Sequence, residues 1–290
     1  MRFSYAESMC DPTFYIPLAK AAEAAGFRTF LVPDSIFYPE ASDARYPYTP
    51  TGDRRFLEDK PFLEPFSLIP ALGAVTEKMR FATFVLKLPI RSPVLVAKSV
   101  SSVAVLTGDR FSFGVGTSPW PEDFHACGEE WTTRGRRMDE MIAIVRGLLA
   151  GGFFEFHGTD YDLPRLKICP VPARPVPILI GGHSEAALRR AARIGDGWMH
   201  AGGDPAELLA CLERLKTLRR EYGRESIPFE VHASSLDAYS VEGVRRLEAM
   251  GVTDLVVGFR NPYTKRQDTQ TLDEKLELMG QYAENVLAKA

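Results

Sequence analysis

The sequence predicts an α/β protein built as a (β/α)8 TIM barrel, one domain over residues 1–290 with insertions after strands two and four. Three observations predict it. Short apolar or β-branched runs alternate with helical periodicity along the whole chain. Eight such units fit within 290 residues, the size of one barrel. The competing architecture, a Rossmann-type sheet with a second domain, needs GxGxxG between strand one and its helix. None stands there, and Gly114-Val-Gly116 lacks the third glycine.

Arg2 to Ala6 is the first strand, and Tyr15 to Ala25 its helix, with leucine and alanines at helical spacing and Gly26 as the stop. Thr29 to Val32 is strand two, followed after a long loop by a helix from Pro65 to Thr76. Arg80 to Leu86 is strand three. Pro93, suited to a first helical turn, opens the helix that ends at Leu106. Phe111 to Val115 is strand four, with Arg134 to Leu149 after it. Ile178 to Ile180 leads to the helix Glu185 to Ile194, and Gly197 to Ala201 to the helix Pro205 to Tyr222. Phe229 to Ala233 precedes Val241 to Met250, and Asp254 to Gly258 precedes the closing helix Leu272 to Ala288. Two stretches stand outside this repeat. Asp34 to Leu63 is rich in Tyr, Phe, Pro and Arg; Gly151 to Pro175 is expected to hold a hairpin around His157-Gly158. Loops of that length commonly carry function.

A hydrophobic fraction of 45% and a charged fraction of 25% describe a globular protein with a sizeable core. The net charge of −3 offers no basic field to nucleic acid or an anionic membrane surface. No apolar run approaches the roughly 18–20 residues of a membrane helix. Met1-Arg-Phe-Ser-Tyr5 enters a strand at once, without an apolar leader, so the expected location is the cytoplasm. Cys10, Cys127, Cys169 and Cys211 are scattered without a CxxC pair, and read as reduced thiols.

A barrel of this kind works at the C-terminal ends of its strands. Those ends carry Glu7 and Ser8, Asp34 and Ser35, Phe84 to Lys87, Gly116 to Trp120, Gly181 to Ser184, His200 to Gly203, His232 to Ser235, and Phe259 to Asn261. The set is rich in glycine, hydroxyls and aromatics and poor in clustered acids, so no metal site is expected. It lacks the paired carboxylates of a glycosidase and any GxSxG elbow. The most informative stretch is Pro177-Ile-Leu-Ile-Gly-Gly-His-Ser184, where a buried strand meets two glycines and an N-capping serine. Free N–H groups and the positive helix end make such a corner an anion site; the alternative is a tight βα turn with no ligand. A phosphorylated planar cofactor, with its ring over the barrel mouth, suits the first reading.

Several blocks together resemble the bacterial luciferase-like monooxygenase superfamily. They are Arg91-Ser-Pro-Val-Leu-Val-Ala-Lys98, Leu106-Thr-Gly-Asp-Arg-Phe-Ser-Phe-Gly-Val-Gly116, Trp120-Pro-Glu-Asp-Phe-His-Ala-Cys-Gly128, Arg134-Gly-Arg-Arg-Met-Asp-Glu140, the Gly181-Gly182 to Trp198 block, and Ala24-Ala-Gly-Phe27 leading to Pro33-Asp34. The likeness covers most of the chain, and is strongest to the F420-dependent oxidoreductases of actinobacteria. It implies a single luciferase-like barrel binding FMN or the deazaflavin F420, often as a homodimer. Gly181, Gly182, His183 and Ser184 then match the family's phosphate corner, with Trp198 beside it as a cofactor wall or a core aromatic. Phe84-Val85 is the candidate for a non-proline cis peptide behind the ring. Asp34 matches the acid ending strand two, but Ser35 stands where relatives have a histidine. Thr117 and Ser118 match the loop after strand four, with Pro119 at the place of an assisting glutamate. His200 and His232 become the substitute proton carriers, or ordinary barrel histidines.

F420 carries a polyglutamate tail, so cations near the mouth favour it over FMN: Lys87, Arg91, Arg54, Arg55, Lys60, Arg260, Lys265 and Arg266, which otherwise read as solvated surface charges. The loop Ile36 to Phe62 would supply an aromatic lid from Phe37, Tyr38, Tyr46, Tyr48, Phe56 and Phe62, or else a dimer contact. The leading expectation is an oxidoreductase moving a hydride between F420 and a small apolar organic substrate, with Asp34, Ser35 and a histidine relaying protons. The alternatives are an FMN-dependent monooxygenase fed by a partner reductase and a non-catalytic cofactor-binding barrel.

Overall fold

The computed structural model describes residues 1–47, 49, 51–202 and 205–290. Tyr48 and Gly203, expected near the barrel mouth, lie outside the described residues. β1 (Arg2–Ala6) is followed by α1 (Tyr15–Ala24), and β2 (Thr29–Val32) by α2 (Pro65–Gly73). β3 (Arg80–Thr83) and β4 (Leu86–Lys87) are two pieces of the expected third strand, with α3 (Pro93–Leu106) after them. β5 (Phe111–Gly116) precedes a short α4 (Pro121–Ala126) and the long α5 (Arg134–Leu149). β6 (Phe154–His157) and β7 (Asp162–Leu166) form the expected hairpin. Three further units follow: β8 (Ile178–Gly181) with α6 (Glu185–Ile194), β9 (Gly197–His200) with α7 (Pro205–Glu221), and β10 (Glu230–Ser234) with α8 (Val241–Ala249). β11 (Asp254–Val257) and α9 (Leu272–Asn285) complete the chain.

The sheet runs β3-β2-β1-β11-β10-β9-β8-β5, and a direct β3–β5 pairing at Phe81↔Phe111 closes it into a barrel. Counting β3 and β4 as one interrupted strand, eight parallel strands surround the axis among the described residues. β3 pairs with both β2 and β5 whereas β4 pairs with β5 alone, so the pairing with β2 ends at Thr83 and the strand is interrupted at Phe84 and Val85. That interruption is the main departure from the expected continuous strand.

Aromatic and branched residues on the outer strand faces (Tyr5, Phe30, Phe81, Phe111 and Phe113 among them) pack against the helices in one large core. Fully burying each such side chain stabilises the fold by roughly 1.5–3 kcal/mol. A second, smaller cluster of Leu31, Ala82, Leu179, Met199 and Val256 fills the barrel interior. Gly114 is required between the two layers: a Cβ there would lie 1.9 Å from the Thr83 carbonyl oxygen. Helix starts are secured locally. Glu64 accepts from the Ser67 N–H at 2.8 Å, and Thr271 and Glu274 form a reciprocal capping box. No helix is long and apolar enough to cross a membrane among the described residues.

Candidate active site

The C-terminal ends of the strands open into a cavity of about 660 Å³. Leu31, Met199 and Val256 form its floor, and Val85 rises above them. A Cβ on Gly116 or Gly181 would come within 2.8 or 2.9 Å of the Val85 methyls, so glycine at the ends of β5 and β8 makes room for that side chain. The Phe84–Val85 peptide bond is cis.

On one wall β8 ends at Gly181. Gly182 has φ +113°, a conformation other residues rarely adopt. Ser184 caps α6, its Oγ accepting from the Ala187 N–H at 3.3 Å. The first-turn N–H groups of Glu185 and Ala186 therefore have no intrahelical acceptor and sit at the positive helix end. Trp198 is fully buried and does not line the cavity; its indole N–H donates to the Gly182 carbonyl at 2.8 Å and fixes the corner from behind. Arg134, at the start of α5, lines the same cavity. Its guanidinium lies 3.6 Å from the Trp131 ring centroid and donates to the Trp131 carbonyl at 2.8 Å. It has no acidic partner among the described residues. Arg190, in the middle of α6, donates to the Gly135 carbonyl at 2.9 Å and ties that helix to the start of α5.

Most of the other ionic groups named from the sequence are matched among the described residues. Arg91 donates to both Asp34 carboxylate oxygens at 2.9 Å, and the Lys87 backbone N–H donates to one of them at 2.9 Å. Lys87 Nζ lies 2.7 Å from Asp123, which also accepts from the Ser118 hydroxyl at 2.6 Å. Glu7, at the end of β1, pairs with Arg260 at 3.1 Å and Lys275 at 3.3 Å. Lys275 in turn holds Asp268 at 2.7 Å. Arg54 lies 3.6 Å from Glu122, and Arg55 and Lys265 share Asp53. Most of the cations expected to form a free ring around the mouth are thus neutralised by the protein's own acids.

Of the residues singled out in the sequence, Asp34, Ser35, Phe84, Val85, Lys87, Thr117, Ser118, Gly181, Gly182, His183 and Ser184 line this cavity. The histidines divide. Ala201 donates its N–H to His183 Nε2 at 3.3 Å, which turns His183 Nδ1–H towards Glu207 at 3.1 Å. His200 lies behind, stacked on His183 with centroids 4.4 Å apart, and does not line the cavity. Burial, and secondarily His183, push the His200 imidazole down to about 4. His232 is at the opposite end of the barrel, 2.9 Å from Glu230 and 3.6 Å from Asp254. β10 runs on to Ser234, so His232 stands in the middle of the strand rather than at its end, level with Asp254 at the start of β11, and faces the barrel bottom.

The lid is also mixed. Tyr46, Phe56 and Phe62 face the cavity, whereas Tyr38 lies over Arg54 outside it. Trp120 and Tyr263 complete the aromatic roof from other loops. Sequence reasoning missed Arg134, Glu207 and Tyr263 as wall residues. Arg134 follows Trp131 at a helix start, and that was the available signal.

The luciferase-like monooxygenase model matches residues 5–242. The chain belongs to that family. This luciferase-like barrel is 60% identical to an uncharacterized protein of Mycobacterium tuberculosis over 100% of both chains. It is 28% identical to an F420-dependent glucose-6-phosphate dehydrogenase of Tsukamurella paurometabola, over 68% of this chain and 55% of the relative. It is 34% identical to an FMNH2-dependent dimethylsulfone monooxygenase of Pseudomonas putida, over 50% of this chain and 40% of the relative.

Proposed function

We propose that the protein is an F420-dependent oxidoreductase that moves a hydride between the deazaflavin and a small apolar organic substrate. The observation that carries this reading is the joining of an anion corner to an apolar-floored cavity of about 660 Å³, within the usual range for small-molecule sites. The donor set fits the cofactor. The free N–H groups after Gly182 and Ser184, with the Arg134 guanidinium on the facing wall, would hold a phosphate. Val85, between its two glycines, would back the ring. When bound, the deazaflavin supplies or accepts a hydride at ring carbon. The protein's own residues then position the substrate, keep water out beneath the roof, and pass a proton. The Ser35 hydroxyl lies on the cavity wall, beside the Asp34–Arg91 pair that holds the end of β2 in place.

A second reading has a specific observation in its favour. The paired mouth cations offer little to a polyglutamate tail, and FMN carries the phosphate without one. In that case the protein is a monooxygenase supplied with reduced flavin by a reductase.

Titration of the apoprotein with F420 and with FMN separates the two. The expected result is saturable F420 binding that Ser184→Asp weakens at least tenfold. Aspartate still caps α6, so the melting temperature stays within about 2 °C while a carboxylate now faces the phosphate. FMN binding without F420 binding selects the monooxygenase reading, and binding of neither cofactor overturns both.

A further inference from the structure

The roof of the cavity constrains the substrate independently of the phosphate corner. Tyr46 stacks on Trp120 with centroids 5.5 Å apart and planes at 17°. Phe56 meets Tyr46 edge-on at 5.1 Å and Tyr263 edge-on at 5.3 Å. All four side chains line the cavity, so a ligand meets ring faces and ring edges already fixed against one another. Arg54 covers the Trp120 ring at 4.6 Å, so a flat conjugated ligand meets the cluster on its Tyr46, Phe56 and Tyr263 side, whereas a flexible chain of equal size must give up its rotors for dispersion contacts alone.

The charges point the same way. Among the described cavity-lining residues, Lys87 is held by Asp123 and Arg260 by Glu7. The lining acids Asp34 and Glu207 are held by Arg91 and His183. The lining cation without an acidic partner is Arg134, which lies over the Trp131 ring and is the group the proposed cofactor phosphate would engage. With Arg134 taken up by the cofactor's phosphate, an anionic substrate would lose its hydration beneath the roof and find no free positive group among the described lining residues.

From these observations we infer that the substrate is an uncharged, planar ring compound, aromatic or conjugated, bound beneath the Tyr46–Trp120 stack. The inference rests on the proposed function for the exclusion of anions and for what then happens to the ring's reducible group, but not for the preference for a ring over a chain.

The test is a set of binding titrations on the cofactor-loaded protein, followed by tryptophan fluorescence, with 2-naphthaldehyde, decanal and glucose 6-phosphate. Naphthaldehyde should bind at least tenfold more tightly than decanal, and glucose 6-phosphate should show no saturable binding. Phe56→Leu and Tyr46→Leu should each weaken naphthaldehyde by about tenfold, leaving cofactor affinity and decanal binding within about threefold of the parent. Decanal or glucose 6-phosphate binding as tightly as naphthaldehyde overturns the inference, as does naphthaldehyde binding that neither substitution changes. Should neither cofactor bind, the proposed function fails on that result alone. The naphthaldehyde and decanal titrations on the apoprotein, with the same two substitutions, then decide the ring preference by the same criteria.

Discussion

His200 shows how a single residue changes meaning between sequence and structure. It ends a barrel strand, where an imidazole could relay protons, yet it lies fully buried behind His183 with Nε2 unpartnered. Desolvation, and then His183, lower it from 6.5 to about 4. The folded state therefore keeps it neutral, while the unfolded chain takes up a proton as the pH falls through 6.5. Its contribution to stability is complete above that value and is lost between 6.5 and about 4. Between pH 7 and pH 5 the parent protein should lose about 2 kcal/mol more stability than His200→Gln, measured by denaturant unfolding. Equal losses would show that His200 is not the group excluded from charging. Position in the sequence could not reveal this, because desolvation depends on the His183 ring folding back from the next loop.

Whole elements were legible where local chemistry and packing agree. The helices Pro93–Leu106, Arg134–Leu149 and Glu185–Ile194 have the bounds expected from periodicity and end residues. α4 carries Pro121 at its first turn with Glu122 and Asp123 after it, but at six residues it is too short to show helical periodicity. The break between β3 and β4 had no signal in the local periodicity; it falls where the pairing with β2 ends while that with β5 continues. The same crowding makes Gly114 a sensitive position. Gly114→Ala should destabilise the protein by at least about 3 kcal/mol, since the obstructing atom is a backbone carbonyl that cannot move aside. Gly280→Ala is the matched control. It lies in α9 with nothing within 4 Å of the added methyl, and should stabilise by about 0.5–1 kcal/mol. Denaturant midpoints that shift equally for both would remove close strand approach as the explanation.

Across the whole molecule, the two ends of the barrel do different work. The mouth holds the cavity. The bottom is closed by Asp254, which receives Arg2 at 2.9 and 2.6 Å and the Thr253 hydroxyl at 2.7 Å, with His232 nearby. Asp254→Asn removes the nearer of the two acids on the half-exposed Arg2, which keeps Glu230 at 3.6 Å, and should cost about 1–2 kcal/mol, or roughly 2–8 °C in melting temperature. Cofactor affinity should stay within about threefold, because nothing at the bottom lines the cavity. A variant that melts normally but binds cofactor poorly would contradict this division of labour.

The sequence by itself determined the β/α alternation, the closing of eight units into a barrel, and the Gly181-Gly182-Ser184 corner at the end of one strand. Each follows from side-chain periodicity, glycine and capping chemistry, which act between near neighbours. Only the tertiary structure decided that His232 faces the barrel bottom and that Trp198 braces the corner from behind. It also decided that Arg134 stands in the cavity wall without an acid, while most other mouth cations are neutralised. Those outcomes depend on strand register and on loops remote in sequence meeting over one end of the barrel. Electrostatic pairing and desolvation are set by such meetings, and no local pattern records them.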